Sequence, residues 1–245
     1  MSTVQWSDLG RLDYGSAWSL QRSLVEAHKT DPEGTPDRLL LVEHDPVITV
    51  GRRAELGTAH IVATPAQLER RDISIYPVER GGDVTYHGPG QLVLYPVLDL
   101  HRHRRDVRWY SDSLLAVIVQ VLAAFGIAAE ARTGCETGVW VADGGSGTNG
   151  GSAGLPPGKI AALGVRIERW ITYHGVALNV NTDLGDFALI VPCGLDGVRV
   201  TSMAEVLGHT VDFAAVKDAA RVAFARVFGV ELVSDVLALN EESVT

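Results

Sequence analysis

Residues 80–98 read RGGDVTYHGPGQLVLYPVL, with four glycines and one proline crowded between Arg80 and Gln91 and an apolar run from residue 91 to residue 98. The apolar run has the length and the β-branched and aromatic content of a buried strand. Residues 73–78 (ISIYPV) read the same way, so the glycine-rich segment connects two strands. Such a glycine density lets a backbone close around a ligand with its N–H groups turned inward. A tight hairpin is the plainer alternative, and it accounts for the glycines but not for Arg80 and His87 beside them. Within residues 80–91 neither the GxxxxGK[ST] spacing of a phosphate loop nor the GxGxxG dinucleotide fingerprint is present.

Outward from this stretch, short β-type runs cover residues 39–43 and 47–50. Tyr14, Ala17, Trp18, Leu24 and Val25 share one helical face over residues 14–28, and DPEGTP at 31–36 ends that helix. Leu115, Ile118, Val119 and Leu122 follow the i, i+3, i+4, i+7 rule and predict a helix over 107–125, stopped by Gly126. Another is expected over 213–228, between Asp212 as N-cap and Gly229 as stop. Thr64 before Pro65, and Ser202 in capping-box spacing with Glu205, mark two short helix starts. Strands are expected again at 139–141 and 160–167, on either side of DGGSGTNGGSAGLPPG (143–158), which offers nothing to pack and reads as a flexible surface loop between neighbouring strands. Without regular βαβ alternation, the order predicts an α+β fold, one domain over residues 1–245 with a mixed β-sheet flanked by helices.

Composition narrows the function. The net charge of −9 argues against nucleic acid as the main partner. No apolar run approaches membrane-spanning length, no secretory signal opens the chain, and two cysteines suit a reducing compartment, so the expected location is the cytoplasm. HExxH and CxxC are both absent, so no metal is expected.

Cys193 sits between Pro192 and Gly194, where a turn can display a side chain, although a lone cysteine is more often a small buried hydrophobe. Lys159 enters the apolar run IAALGVRI; it is either a strand-edge lysine in solvent or a desolvated ammonium able to favour a thiolate. His87 and His174, each followed by glycine, are candidates for a pocket wall or a proton relay.

RGGDVTYHGPGQ (80–91), KIAALGVRI (159–167), HGVALNV (174–180) and VPCGL (191–195), in this order, resemble the core motifs of the lipoyl(octanoyl) transferases. The resemblance runs from EHDPVITVGRR (43–53) to TSMAEVLG (201–208). It implies the fold of biotin and lipoate protein ligases and the transfer of an octanoyl group from octanoyl-acyl carrier protein to a lysine of lipoyl domains, as in 2-oxoacid dehydrogenase E2 subunits and the glycine cleavage H protein. By motif, Cys193 becomes the acyl-thioester nucleophile and Lys159 the group that lowers its pKa. The acyl pocket falls to Arg80, Gly81, Gly82, Asp83, Val84, Thr85, Tyr86, His87, Ala162, Leu163, Gly164, Gly175, Val176 and Ala177. No cofactor is implied. Two departures from the family pattern are the long glycine-rich insertion before Lys159 and a second cysteine, Cys135. The rivals are an ATP-dependent lipoate or biotin ligase, which needs no nucleophilic cysteine, and a lipoyl-domain binding module without turnover. Arg52, Arg53, Arg102, Arg104 and Arg105 are the densest basic positions, a docking surface for an acidic carrier protein or merely a solvated helix entrance.

Overall fold

The computed structural model describes residues 2–53, 60–141, 157–191, 198–235 and residue 237. Its elements are β1 (Ser2–Leu12), α1 (Tyr14–Thr30), β2 (Arg38–His44), β3 (Val47–Val50), α2 (Pro65–Arg70), β4 (Ser74–Pro77), β5 (Val84–His87), β6 (Gln91–Val97), α3 (Val107–Ala124), β7 (Ala129–Arg132), β8 (Gly138–Val141), β9 (Gly158–Glu168), β10 (Ile171–Asn179), α4 (Met203–Leu207), α5 (Phe213–Phe228) and β11 (Val230–Ser234). Eight strands form one sheet in the order β11-β1-β2-β6-β10-β9-β8-β7, and β4-β3-β5 form a second. In the large sheet β1 runs parallel to β11 and β2, and the pairs from β2 to β7 are antiparallel. This is the α+β fold with a mixed sheet that the sequence predicts.

Period-two alternation distributes the central strands between two apolar layers. Leu39, Leu41, Leu92, Leu94, Val176 and Leu178 join the cluster built on α3 and α5. Leu40, Val42, Val93, Tyr95 and Ala177 form another with Ala17 of α1. Burial on both faces is why β2 and β6 read as continuous apolar runs. By length and composition α3 could cross a bilayer, more than the sequence reading allows, yet eight of its residues are buried in this core.

The caps expected at Thr64, Ser202 and Asp212 are present, and Asp13 and Asp106 add two more. Asp13, Asp106, Ser202 and Asp212 each accept a backbone N–H of the first turn of α1, α3, α4 and α5, and Thr64 and Gln67 close a capping box on α2. Gly208 and Gly229 end α4 and α5 in the left-handed conformation.

Three points differ from expectation. The glycine-rich segment is no hairpin, because its two flanking strands belong to different sheets; it contains β5, which pairs with β3. The strands β1, β7 and β11 were not expected, being edge or near-edge strands whose residues are largely polar or half-exposed. The helix at 107–125 ends one residue earlier, with Phe125 as its cap. The strands β8 and β9 on either side of the 143–158 insertion pair directly, as anticipated for a loop between neighbours, but nearly all of that loop lies outside the described residues.

Candidate active site

Lys159 is the second residue of β9, an interior strand between β8 and β10, and only 5% of it is exposed. The solvent-edge alternative is therefore excluded. Its backbone N–H donates to Arg199 (2.8 Å) and its carbonyl accepts from Thr201 (3.0 Å), which docks the chain after the cysteine segment onto it. Lys159 pairs with Trp140, whereas Gly138 pairs with Ala162. A Cβ on Gly138, where φ is +152°, would lie 2.5 Å from Lys159 Cε and 3.3 Å from its Nζ. The lysine side chain therefore runs along the strand to the level of Ala162, through space that a glycine leaves open. Its ammonium lies 5.9 Å from the centre of the Trp140 ring. Cys193 is outside the described residues; the chain enters that segment at Val191, whose N–H donates to His60, and leaves it at Val198.

Above Lys159, Thr85, Ala161, Ala162, Ala177, Asn179, Phe187 and Val200 line a small cavity with it. Through Thr85, Ala162 and Ala177 this adjoins a largely apolar pocket with about 480 Å³ of empty space, part of it open to solvent. Its walls include Arg80, Gly82, Asp83, Val84, Thr85, His87, Ala162, Leu163, Gly164, Gly175, Val176 and Ala177. Twelve of the fourteen pocket positions implied by sequence thus share one cavity. The other two stand behind it: the Gly81 N–H donates to Val165 (2.9 Å), and the Tyr86 hydroxyl donates to Asp186 (2.7 Å). Tyr14, Val93, Tyr95 and His174 complete the lining.

The glycines close on Arg80 as well as on the cavity. The guanidinium, 6% exposed, donates to the Thr49 hydroxyl (3.0 and 2.8 Å) and carbonyl (2.7 Å) and to the Gly81 carbonyl (3.0 Å). A Cβ on Gly51 would stand 2.7 Å from Arg80 Nη1, and one on Gly164 would stand 2.9 Å from Arg80 Cδ. Arg80 is thus a buried strut holding the small sheet against β9, as well as a pocket wall.

A hydrogen-bonded chain joins His87 to Lys159. His87 Nδ1 meets Gln91 Oε1 at 2.6 Å, Gln91 Nε2 donates to Asn179 Oδ1 (2.9 Å), and Asn179 Nδ2 donates to the carbonyl of Thr201 (3.0 Å), whose N–H donates to Lys159. The bond to an amide oxygen assigns the proton to His87 Nδ1 and leaves Nε2 as acceptor. Nearby, His44 bridges the Leu12 carbonyl and the Tyr95 hydroxyl (2.9 Å each), with Tyr14 stacked on His87. Burial pushes His87 down to about 3 and His44 and His174 down to about 4, so all three are neutral at pH 7.

His174 adopts φ +56° within β10, a conformation that costs a non-glycine residue about 1–2 kcal/mol. Its N–H donates to Gln21 Oε1 (2.8 Å), its ring stacks on Tyr173, and its Nε2 lies 3.9 Å from Glu79. Sequence reasoning assigns no site role to Gly138, Thr49, Gln91, Asn179 or Tyr95, and reads Tyr14 only as part of a helix face. A polar residue at the start of a strand, as Gln91, or near its end, as Asn179, was the one available signal.

The basic positions divide. Arg52 and Arg53 are exposed, and their N–H groups donate to the carbonyls of Arg80 and Gly82 at the pocket. Arg102 is committed to the Thr35 carbonyl and to Asp37 and Asp99, and Arg104 pairs with Asp106 at the entrance of α3.

Residues 13–225 match the lipoyl protein ligase A/B catalytic domain. Among curated proteins, the octanoyltransferase of Gloeobacter violaceus is 45% identical over 91% of this chain and 89% of its own. The octanoyltransferase of Solibacter usitatus is 46% identical over 91% and 92%. Among solved structures, a bipartite lipoate protein ligase from Thermoplasma acidophilum superposes with a TM-score of 0.69 at 16% identity, covering 99% of this chain and 89% of its own, which is a likeness of fold. The chain belongs to the lipoyl protein ligase A/B catalytic family, its relatives are octanoyltransferases, and it is an acyltransferase.

Proposed function

We propose that the enzyme takes an octanoyl group from octanoyl-acyl carrier protein onto Cys193 and passes it to a lysine of a lipoyl domain, of an E2 subunit or an H protein, in the first step of endogenous lipoylation. The observation that carries this reading is the buried Lys159 ammonium in the small cavity that adjoins the apolar pocket, with the chain that follows Cys193 hydrogen-bonded to the backbone of that same lysine.

A free thiol near pKa ~8.5 is mostly protonated at neutral pH, and a neighbouring ammonium favours its thiolate. The Cys193 thiolate attacks the donor thioester, its carbonyl carbon forms a new C–S bond, and the old one breaks. The Lys159 ammonium gives its proton to the departing pantetheine sulfur. In the second half the acceptor ammonium gives up one proton to become an amine, its nitrogen attacks the acyl-enzyme and loses a second proton to water, and the amide forms as the Cys193 thiolate leaves. His87, held to about 3, is too weak a base for an ammonium with pKa ~10, which leaves neutral Lys159 to take the first proton. No adenylate, metal or cofactor enters the scheme. Arg52 and Arg53, exposed beside Arg80 and Gly82, are the basic groups placed to meet an acidic carrier protein.

Intact mass spectrometry after incubation with octanoyl-carrier protein and no ATP tests the reading. Wild type is expected to gain one octanoyl group, and Cys193→Ser and Cys193→Ala to lose transfer to a lipoyl domain. Near-normal transfer by Cys193→Ala, or a requirement for ATP, refutes the covalent scheme in favour of a ligase.

A further inference from the structure

We propose that the His174 imidazole is the end-stop of the acyl pocket and sets the chain length the enzyme accepts. The inference rests on the acyl-binding reading of that pocket. Two consecutive pairs of residues divide two cavities between them: Arg80 and His174 line the apolar pocket, while Glu79 and Tyr173 line a separate groove on the far side. That groove also holds Arg22, Glu26, Lys29 and Arg166, so it is strongly charged. The His174 ring, against Tyr173 and 3.9 Å from Glu79, is the wall between them. Its Nε2 is buried without a hydrogen-bond partner among the described residues, and the nearest carboxylate to it is Glu79, on the groove side of the wall.

The strand register supplies a ruler. The Lys159 ammonium stands at the level of Ala162, and His174 pairs with Val165, three residues further along β9. Three strand residues span about 10 Å. An extended eight-carbon chain, with C–C bonds of about 1.5 Å, reaches roughly 9 Å. A ten- or twelve-carbon chain meets the imidazole, and beyond it a charged groove that disfavours alkyl surface.

The test compares hexanoyl, octanoyl, decanoyl and dodecanoyl carrier-protein donors with wild type, His174→Gly and His174→Asn, the two replacements best suited to a positive φ. Wild type is expected to peak at octanoyl. In His174→Gly the dodecanoyl-to-octanoyl ratio of kcat/KM should rise by about tenfold or more, mainly through KM for the long donors, and in His174→Asn by less. An unchanged ratio in both variants, or an equal loss at every length, overturns the end-stop and leaves His174 a structural residue. Should His174→Gly fail to fold, the His174→Asn profile decides. A wild type that transfers octanoyl with unshifted variants sinks the end-stop alone; one that transfers none of the four donors sinks the acyl-pocket reading with it.

Discussion

A single missing methyl group positions the lysine on which the proposed chemistry depends. At Gly138 a Cβ would come within 2.5 Å of Lys159 Cε and of the Ala161 carbonyl, and φ is +152°, so both the space and the backbone call for glycine there. The carbonyl belongs to a paired strand, so that clash is relieved only by a shift of the β8 backbone, and the lysine side chain has to move as well. Gly138→Ala is therefore expected to displace the ammonium and cut acyl transfer by roughly tenfold or more, toward the 10²–10⁴ associated with a lost acid–base group. Steady-state kinetics beside a thermal melt checks this. Full activity in a folded Gly138→Ala protein would show that the ammonium need not sit at the level of Ala162. Gly138 carries no motif of its own, and its role emerges only from the pairing of β8 with β9. The same holds for Thr49, Gln91 and Asn179: each is a partner of a legible residue, contributed by a strand whose register the sequence does not state. The pocket glycines and alanines were legible because they recur as a family pattern, whereas Arg80 as a strut required seeing Thr49 opposite it.

At the scale of elements, what could be read locally was read well. Helix α5 runs from Phe213 to Phe228 between the cap and stop that the sequence names, since an Asp N-cap, an apolar stripe and a terminal glycine all act within one or two turns. The strands β1 and β11 escaped notice for the converse reason: each is half-exposed and is completed by a partner at the other end of the chain, Ser2 opposite Val230 through Trp6 opposite Ser234. β5 was hidden because its four residues sit among glycines and pair with β3 rather than with the nearer β6. The cap on α5 has consequences for that closure. Asp212 accepts N–H bonds from Ala214 and Ala215 at the start of the helix that leads into β11, and α5 packs on α3 through Phe224 and Phe228. Asp212→Ala should cost about 0.5–2 kcal/mol, typical of a lost N-cap, and leave kcat near wild type because the pocket receives no residue from α5. A denaturant melt paired with the transfer assay checks it; an unchanged midpoint would place the stability of α5 wholly in its apolar face.

At the scale of the whole molecule, three neutral histidines buried around one pocket make the fold acid-sensitive before its carboxylates titrate. In the unfolded chain each ionises near 6.5, whereas in the fold burial holds His44 and His174 to about 4 and His87 to about 3. Between those values the unfolded state binds more protons, so stability falls as pH falls through 6.5, and the decline levels off only near the folded values. Each group can contribute up to ~1.4 kcal/mol per pH unit inside that window, so the three together approach roughly 6 kcal/mol at most between pH 7 and pH 5. Against a typical total of about 5–15 kcal/mol, this is enough to bring the protein to the edge of unfolding near pH 5. The carboxylates with depressed pKa, Asp13, Glu79, Asp99, Asp106 and Glu168, add their own loss mainly below their unfolded values near ~4, so they do not account for the upper part of the window. Melting temperature followed from pH 7.5 to pH 5 should drop continuously, with close to three protons taken up by these groups on unfolding near pH 5, and a further contribution from His28, whose pKa burial also lowers, in calorimetry across buffers of different ionisation enthalpy. A melting temperature flat across that range would mean that the three imidazoles become charged without leaving the fold, and that the polar network around the pocket opens locally to water rather than holding the sheets together.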